Sequence, residues 1–202
     1  MARSKSTIFS GADALDWDEA MRLVGRLEND GRWKDALLVS CGCFLGLRIS
    51  DLLTLTWHDI CSSTYIVVKE KKTGKMRRLK INPTLQATAR RCMQALGAQD
   101  ESLPALSSQA RGGRYPMTRQ RAAQRLKAVA AEYGIASAEH FSTHSLRKTF
   151  GRRVWTQECD RGRGDQALLL LCDIFGHSSV NITKRYLGIR QEEILSVYDS
   201  LD

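Results

Sequence analysis

Five side chains that interrupt the pattern of the sequence are of the types that phosphate chemistry uses. Arg48 follows Gly46-Leu47 inside an otherwise apolar stretch. A guanidinium is costly to bury there without an anion. It either pairs with a nearby acid, Asp51 or Asp59, or awaits an anionic ligand. His144 and Arg147 stand three apart in Thr143-His144-Ser145-Leu146-Arg147. With Thr143 as the cap, both would share one face of a first helical turn. Helix N-termini attract phosphate because their free amides and dipole point at it; a solvated helix start is the competing reading. His177 follows Gly176, and Tyr186 lies in Thr183-Lys184-Arg185-Tyr186-Leu187-Gly188. A lone tyrosine on a short helix is ordinarily half-buried packing. None of these signals is strong singly; their order and contexts carry the argument.

The elements that must hold these residues follow from periodicity. Asp16 stands three residues before Glu19, close to a capping box, and opens a helix with Met21, Val24 and Leu27 on one face; Gly31 ends it. A second helix, Trp33 to Leu45, is apolar nearly all round and so is expected to be buried, with Gly46 closing it. Ser50 is expected to cap a short third helix carrying Leu52, Leu53 and Leu55. The period then changes. Tyr65-Ile66-Val67-Val68, the Thr73-Gly74 turn and Met76 to Ile81 form a β-hairpin. Further helices are expected over about 84–96, 119–133, 144–156, 165–175, 180–187 and 190–200, with a long loop from Ser102 to Pro116. The fold class is mainly α with one small antiparallel β-hairpin. Residues 1–15 read as a flexible leader, 16–189 as one domain and 190–202 as a tail helix. In that tail Ile194, Leu195, Val197, Tyr198 and Leu201 gather too much apolar surface to stay in water, so it is expected to pack on this domain or on a neighbour.

Composition narrows the class. The 202 residues suit one domain with a sizeable core. Lys and Arg outnumber Asp and Glu by 31 to 22, a net charge of +9, which favours polyanions and nucleic acid first. No apolar run approaches the roughly 18 residues of a membrane span, and no signal peptide is visible, so the expected location is cytoplasmic. The cysteines at 41, 43, 61, 92, 159 and 172 lack Cys-x-x-Cys spacing and read as reduced core thiols, without a metal.

Four stretches resemble the tyrosine recombinase (phage integrase) family over residues 16–190. ALLVSCGCFLGLRISDLLTLTWHDI, residues 36–60, looks like the box of the first catalytic arginine; THSLRKTFGRRV looks like the His-x-x-Arg box. IFGHSSVNITKRYLGI resembles the segment of the second histidine and the nucleophilic tyrosine, and KEKKTGKMRRLKI the hairpin whose turn carries a catalytic lysine. The resemblance implies a DNA strand-exchange enzyme acting on double-stranded DNA, without metal, cofactor or ATP. It assigns Tyr186 as nucleophile, Arg48 and Arg147 as holders of the non-bridging oxygens, and Lys72 as proton donor to the leaving 5′ oxygen. His144 would be general base or orienting group, and His177 a phosphate hydrogen-bond partner. Lys71 and Lys75 are the alternatives to Lys72. Asp51 takes the place of the family's acidic residue and is expected to orient Arg48. Self-association on DNA as a tetrameric synapse and a nucleoid-associated location are implied too.

Members of the family usually carry a helical DNA-clamping domain ahead of this one. Its lack before residue 16 leads to the expectation of an excised catalytic half or a natural minimal form. Two alternatives stay open. A type IB topoisomerase also uses a tyrosine and two arginines; the GHSS string and the small size argue against it. A non-catalytic DNA-binding regulator would lack one of the six positions, and all six are filled.

Overall fold

The computed structural model describes residues 13–108, 112–135, 140–189 and 196–199. Helix α1 (Trp17–Asn29) starts where the Asp16 carboxylate accepts from the amides of Asp18 and Glu19, and buries Ala20, Leu23, Val24 and Leu27. Met21 is only partly covered. Leu15, read from sequence as leader, is buried, and its amide donates to the Thr149 hydroxyl at 2.9 Å.

Helix α2 (Trp33–Leu45) is the centre of the domain, and ten of its thirteen residues are buried. It packs against α1, α5 (Pro83–Ala95), α6 (Arg119–Glu132) and α7 (Thr143–Cys159). A helix surrounded on all sides needs apolar residues on all sides, which is what its sequence shows. Its one buried acid, Asp35, pairs with Arg32 at 2.8 Å and Arg125 at 2.7 Å. The helix ends in Gly46, whose left-handed φ of +56° only glycine takes without strain.

After Gly46 the chain differs from expectation. The third helix, α3 (Ile49–Leu52), starts one residue before Ser50, and its cap position is held by Arg48 without a side-chain bond. Ser50 instead hydrogen-bonds Asp51. A further helix, α4 (Trp57–Cys61), follows; Thr56 and Asp59 close a capping box there, and Trp57, Ile60 and Cys61 are buried. Five residues are too few to show a helical period, so that helix has no signal in the pattern.

Strands β1 (Tyr65–Lys69) and β2 (Met76–Lys80) pair antiparallel with Lys69 opposite Met76. They bury Ile66 and Val68 and leave Tyr65 and Val67 outside. The mainly helical fold with one hairpin is therefore as the sequence reads.

Helix α7 joins two apolar clusters. The larger one gathers α1, α2, α4, α5 and α6; the smaller one holds Leu168, Leu171, Phe175, Leu187 and Ile189. These come from α8 (Gly164–Phe175), α9 (Val180–Leu187) and the residues after it. Gly151 of α7 allows the close approach: a Cβ there would lie 2.7 Å from Leu187 and 2.8 Å from Phe175. The candidate site sits at this seam.

Cys41, Cys43, Cys61 and Cys92 are buried, and burial pushes the thiols of Cys61 and Cys92 up to about 11 and about 12. Cys159 is exposed and Cys172 half-buried, so these two are not core thiols; all six are free. Most of the tail helix expected over 190–200 lies outside the described residues. Residues 196–199 are helical, with Val197 58% and Tyr198 68% exposed. Among the described residues no helix is long and apolar enough to cross a membrane.

Candidate active site

Two helix C-termini organise the site. A helix leaves its last carbonyls without intrahelical donors and carries partial negative charge there, so cations settle on them. The carbonyl of Phe175, the last residue of α8, accepts from Arg48 Nη2 at 2.9 Å and from Arg147 Nη2 at 3.1 Å. The carbonyl of Gly46, just past α2, accepts from Arg147 Nη1 at 2.6 Å. Arg147 is 5% exposed and lies over the Phe175 ring, 4.5 Å from its centroid. Burial, opposed by the neighbouring Tyr186 and reinforced by Arg48, lowers its pKa to about 10, so it stays a cation at neutral pH.

Arg48 has a partner that the sequence reading did not name. Its Nη1 donates to Glu70 Oε2 at 2.8 Å. Asp59 is occupied by the capping box of α4. Asp51 does not orient Arg48 either. Its Oδ1 accepts from the Lys71 amide at 3.0 Å, and its Oδ2 is buried without a hydrogen-bond partner among the described residues. Glu70 also takes Arg77 at 3.2 Å and the Thr73 hydroxyl at 2.8 Å. Burial alone would push its carboxyl up; the Thr73 hydroxyl and the Arg48 and Arg77 guanidiniums together hold it below the usual range. Glu70 is the one acid in the basic run KEKKTGKMRRLK, residues 69–80, where nothing local marks it as buried.

The hairpin turn carries Lys71, Lys72 and Lys75. The turn is tethered at several points. The Gly74 amide donates to the Glu70 carbonyl at 2.8 Å, the Glu70 amide to Lys75 at 2.9 Å, and the Lys71 amide to Asp51. Lys71 and Lys72 both line an open cleft of about 710 Å³ with Arg48, Thr118, Arg119, His144 and Arg147. Lys72 is also close enough to His177 to depress the pKa of that imidazole, after burial, Arg147 and Arg48.

The start of α7 is capped by Ser142 rather than Thr143: the Ser142 hydroxyl accepts from the His144 amide and joins Ser145 in a capping box. His144 and Arg147 still share the first turn. His144 is exposed at the cleft, and partial burial, then Arg147, Lys148 and Arg48, lowers its pKa.

Helix α9 brings Tyr186 to the back of the site. Its ring meets the rings of Phe175 and His177 edge-on, with centroids 5.3 and 5.2 Å away, and the Lys148 ammonium lies 5.3 Å from its centroid. His177 is fixed by Nδ1 against the Thr183 hydroxyl at 3.0 Å. The Tyr186 hydroxyl is buried without a hydrogen-bond partner in good geometry among the described residues. Burial raises its pKa; the nearby Arg147 and Arg48 guanidiniums oppose that rise. All six residues named from sequence thus converge on one seam, four of them on the cleft and Tyr186 and His177 behind the arginine pair. Among the described residues, no three His, Cys, Asp or Glu side chains converge as metal ligands would.

Two fixed guanidiniums with unused N–H donors, a lysine on the facing turn and a tyrosine hydroxyl beside them form a cationic cleft of a kind that suits an anionic group. The model of the phage integrase family matches residues 14–193. The probable integrase/recombinase YoeC of Bacillus subtilis (strain 168) is 29% identical over 165 residues, 82% of this chain and 83% of that protein. The tyrosine recombinase XerC of Xanthomonas campestris pv. campestris (strain B100) is 31% identical over 191 residues, 92% of this chain but 54% of that protein. The chain thus spans about half the length of that relative. The XerH site-specific recombinase, solved in a post-cleavage complex with a palindromic difH substrate, superposes with a TM-score of 0.65 at 17% identity. The superposition covers 94% of this chain and 54% of that one, and shows the fold.

Proposed function

The chain belongs to the phage integrase family, and on that premise we propose that it breaks and rejoins double-stranded DNA through a covalent link to Tyr186. The carrying observation is the arginine pair: Arg48 and Arg147 share the Phe175 carbonyl, beside the Tyr186 hydroxyl.

The tyrosine oxygen attacks the scissile phosphorus, a new Tyr186–phosphate bond forms at the 3′ side, and the bond to the 5′ oxygen breaks. His144, whose depressed pKa keeps it neutral, takes the tyrosine proton or orients the hydroxyl. Lys72 gives a proton to the leaving 5′ oxygen. Arg48 and Arg147 bind the non-bridging oxygens, where charge builds in the transition state, and His177 adds a hydrogen bond. Arg48 and Arg147 are held at the carbonyls of Phe175 and Gly46, whereas a lysine carries its ammonium on a flexible stem that can follow the leaving oxygen. The covalent link preserves the phosphodiester energy, so a 5′ hydroxyl from another strand reverses the reaction without ATP. The cationic groups supply the charge stabilisation that a metal would otherwise give, so no metal is used.

The Tyr186 hydroxyl is buried in the DNA-free chain. Reaction therefore requires DNA to draw α9 or its tyrosine toward the cleft. The partner is duplex DNA, and strand exchange between two duplexes calls for four protomers. A mobile DNA element is the setting in which such exchange acts, and its place is the cytoplasm, on the nucleoid.

Incubation with duplexes from the ends of the element encoding the chain should yield a protein–DNA adduct stable to denaturation. Tyr186→Phe should form none while binding the same duplex, because phosphate contacts from Arg and Lys supply most of the affinity. An adduct in the Phe variant would show the nucleophile to be another residue.

A further inference from the structure

Glu70 lies outside the set of groups that would touch DNA, yet it is the most heavily engaged acid near the cleft. It is 6% exposed and takes donors from three separate pieces of chain. Arg48 stands at the start of α3, Thr73 in the hairpin turn and Arg77 in β2. A single oxygen, Oε2, accepts from both Arg48 and Thr73, each at 2.8 Å. Oε1 takes Arg77 at 3.2 Å.

We propose, resting on the strand-transfer reading, that Glu70 is a positioning residue that sets the lysine-bearing turn against Arg48. Lys72 stands between two tethered neighbours. Lys71 is held through its amide by Asp51, and Thr73 through its hydroxyl by Glu70. The shared oxygen makes the arginine that grips the phosphate and the lysine that protonates its leaving oxygen one unit. Two further effects favour this role. A buried carboxylate without such partners would cost more than it returns. Its charge also offsets the repulsion between Arg48 and Arg77, whose guanidiniums share it, so the pair stays in place before DNA arrives. Reaching through the backbone instead, Asp51 holds the turn but does not touch Arg48.

Two variants of the full chain test this. Glu70→Gln keeps the shape and removes the charge. Thr73→Val, at an exposed position and so tolerable to the fold, cuts the turn from Glu70 while leaving the Arg48 pair intact. Amide hydrogen exchange of the turn is the first readout. Lys71 and Gly74 should exchange faster in both variants, and Lys75, whose amide donates to the Thr73 hydroxyl, also in Thr73→Val, with protection outside the turn unchanged. Adduct formation on element-end duplexes is the second, with a bridging 5′ oxygen and with a bridging 5′ sulfur, which leaves without a proton. On the oxygen duplex both variants should be slowed by roughly 10²-fold, as misplacement of a catalytic group by about 1 Å costs. On the sulfur duplex Thr73→Val should return to near the wild-type rate, and Glu70→Gln should recover only in part, since Arg48 is disturbed as well. A loss equal on both duplexes, or turn amides as protected as in the wild type, overturns the positioning role. A wild-type chain that forms no adduct on any such duplex overturns the strand-transfer reading instead, and hydrogen exchange then decides alone whether Glu70 holds the turn.

Discussion

Replacing Gly46 by alanine probes how tightly the arginine pair depends on the end of α2. Gly46 has φ +56°, and a Cβ there would lie 2.3, 2.6 and 2.8 Å from three ring atoms of Phe150. Holding alanine in the left-handed region costs about 1–2 kcal/mol. A ring in a packed cluster does not compress, so Phe150 must rotate or α7 must shift; overpacking of that kind costs about 1–3 kcal/mol. The sum, about 2–5 kcal/mol, is a large share of the roughly 5–15 kcal/mol that stabilises an ordinary domain. Urea unfolding followed by circular dichroism should show a lower midpoint with an unchanged slope. Phe150→Ala should relieve the clash, so the double variant should be more stable than additivity predicts, by about 1 kcal/mol or more. The functional consequence follows from connectivity. The Gly46 carbonyl receives Arg147, and Arg48 is two residues on, so a shift in this backbone displaces both guanidiniums. Adduct formation should fall at least roughly 10-fold at temperatures where the variant is folded. A stability loss under about 1 kcal/mol, or strict additivity in the cycle with Phe150→Ala, would refute the steric account.

Lys72→Ala should be slowed by roughly 10²–10⁴-fold on normal DNA and be near wild type on a bridging 5′-sulfur duplex, as loss of a general acid requires. Arg147→Ala should not be rescued by sulfur, and rescue of Lys71→Ala or Lys75→Ala in place of Lys72→Ala would reassign the lysine. The pKa values of His144 and His177 are lowered in the fold, so the unfolded chain binds more protons as acid is added. Stability from this source is whole above the ordinary histidine pKa of about 6.5 and is lost as pH falls from there toward the lowered values. The melting temperature of the DNA-free chain should therefore drop as pH is lowered from about 7 to about 5.5, and replacing both histidines by asparagine should flatten that slope. Adduct formation should persist in excess EDTA, measured against an untreated control; strict dependence on added Mg²⁺ would overturn the metal-free step.

Periodicity and capping chemistry locate most of the elements, though not α4, and four sequence strings nominate six residues that the fold brings to one seam. The left-handed end of α2 is already present in Gly46, and the mainly helical class with one hairpin follows from where the apolar period changes. These are local properties, governed by neighbours within a few positions. Partner choice is different. Arg48 pairs with Glu70, 22 residues away, rather than with the nearer Asp51 or Asp59; Asp59 serves the cap of α4, and Asp51 accepts from the Lys71 amide instead. The Phe175 carbonyl that aligns both arginines is 127 residues from Arg48, and no spacing rule connects them. The burial of the Tyr186 hydroxyl follows from how α8 and α9 fold over α7. Residue types set what a side chain is able to do, but competition among all the donors and acceptors that the fold brings together decides which bond each one makes. That competition exists only once the chain has packed.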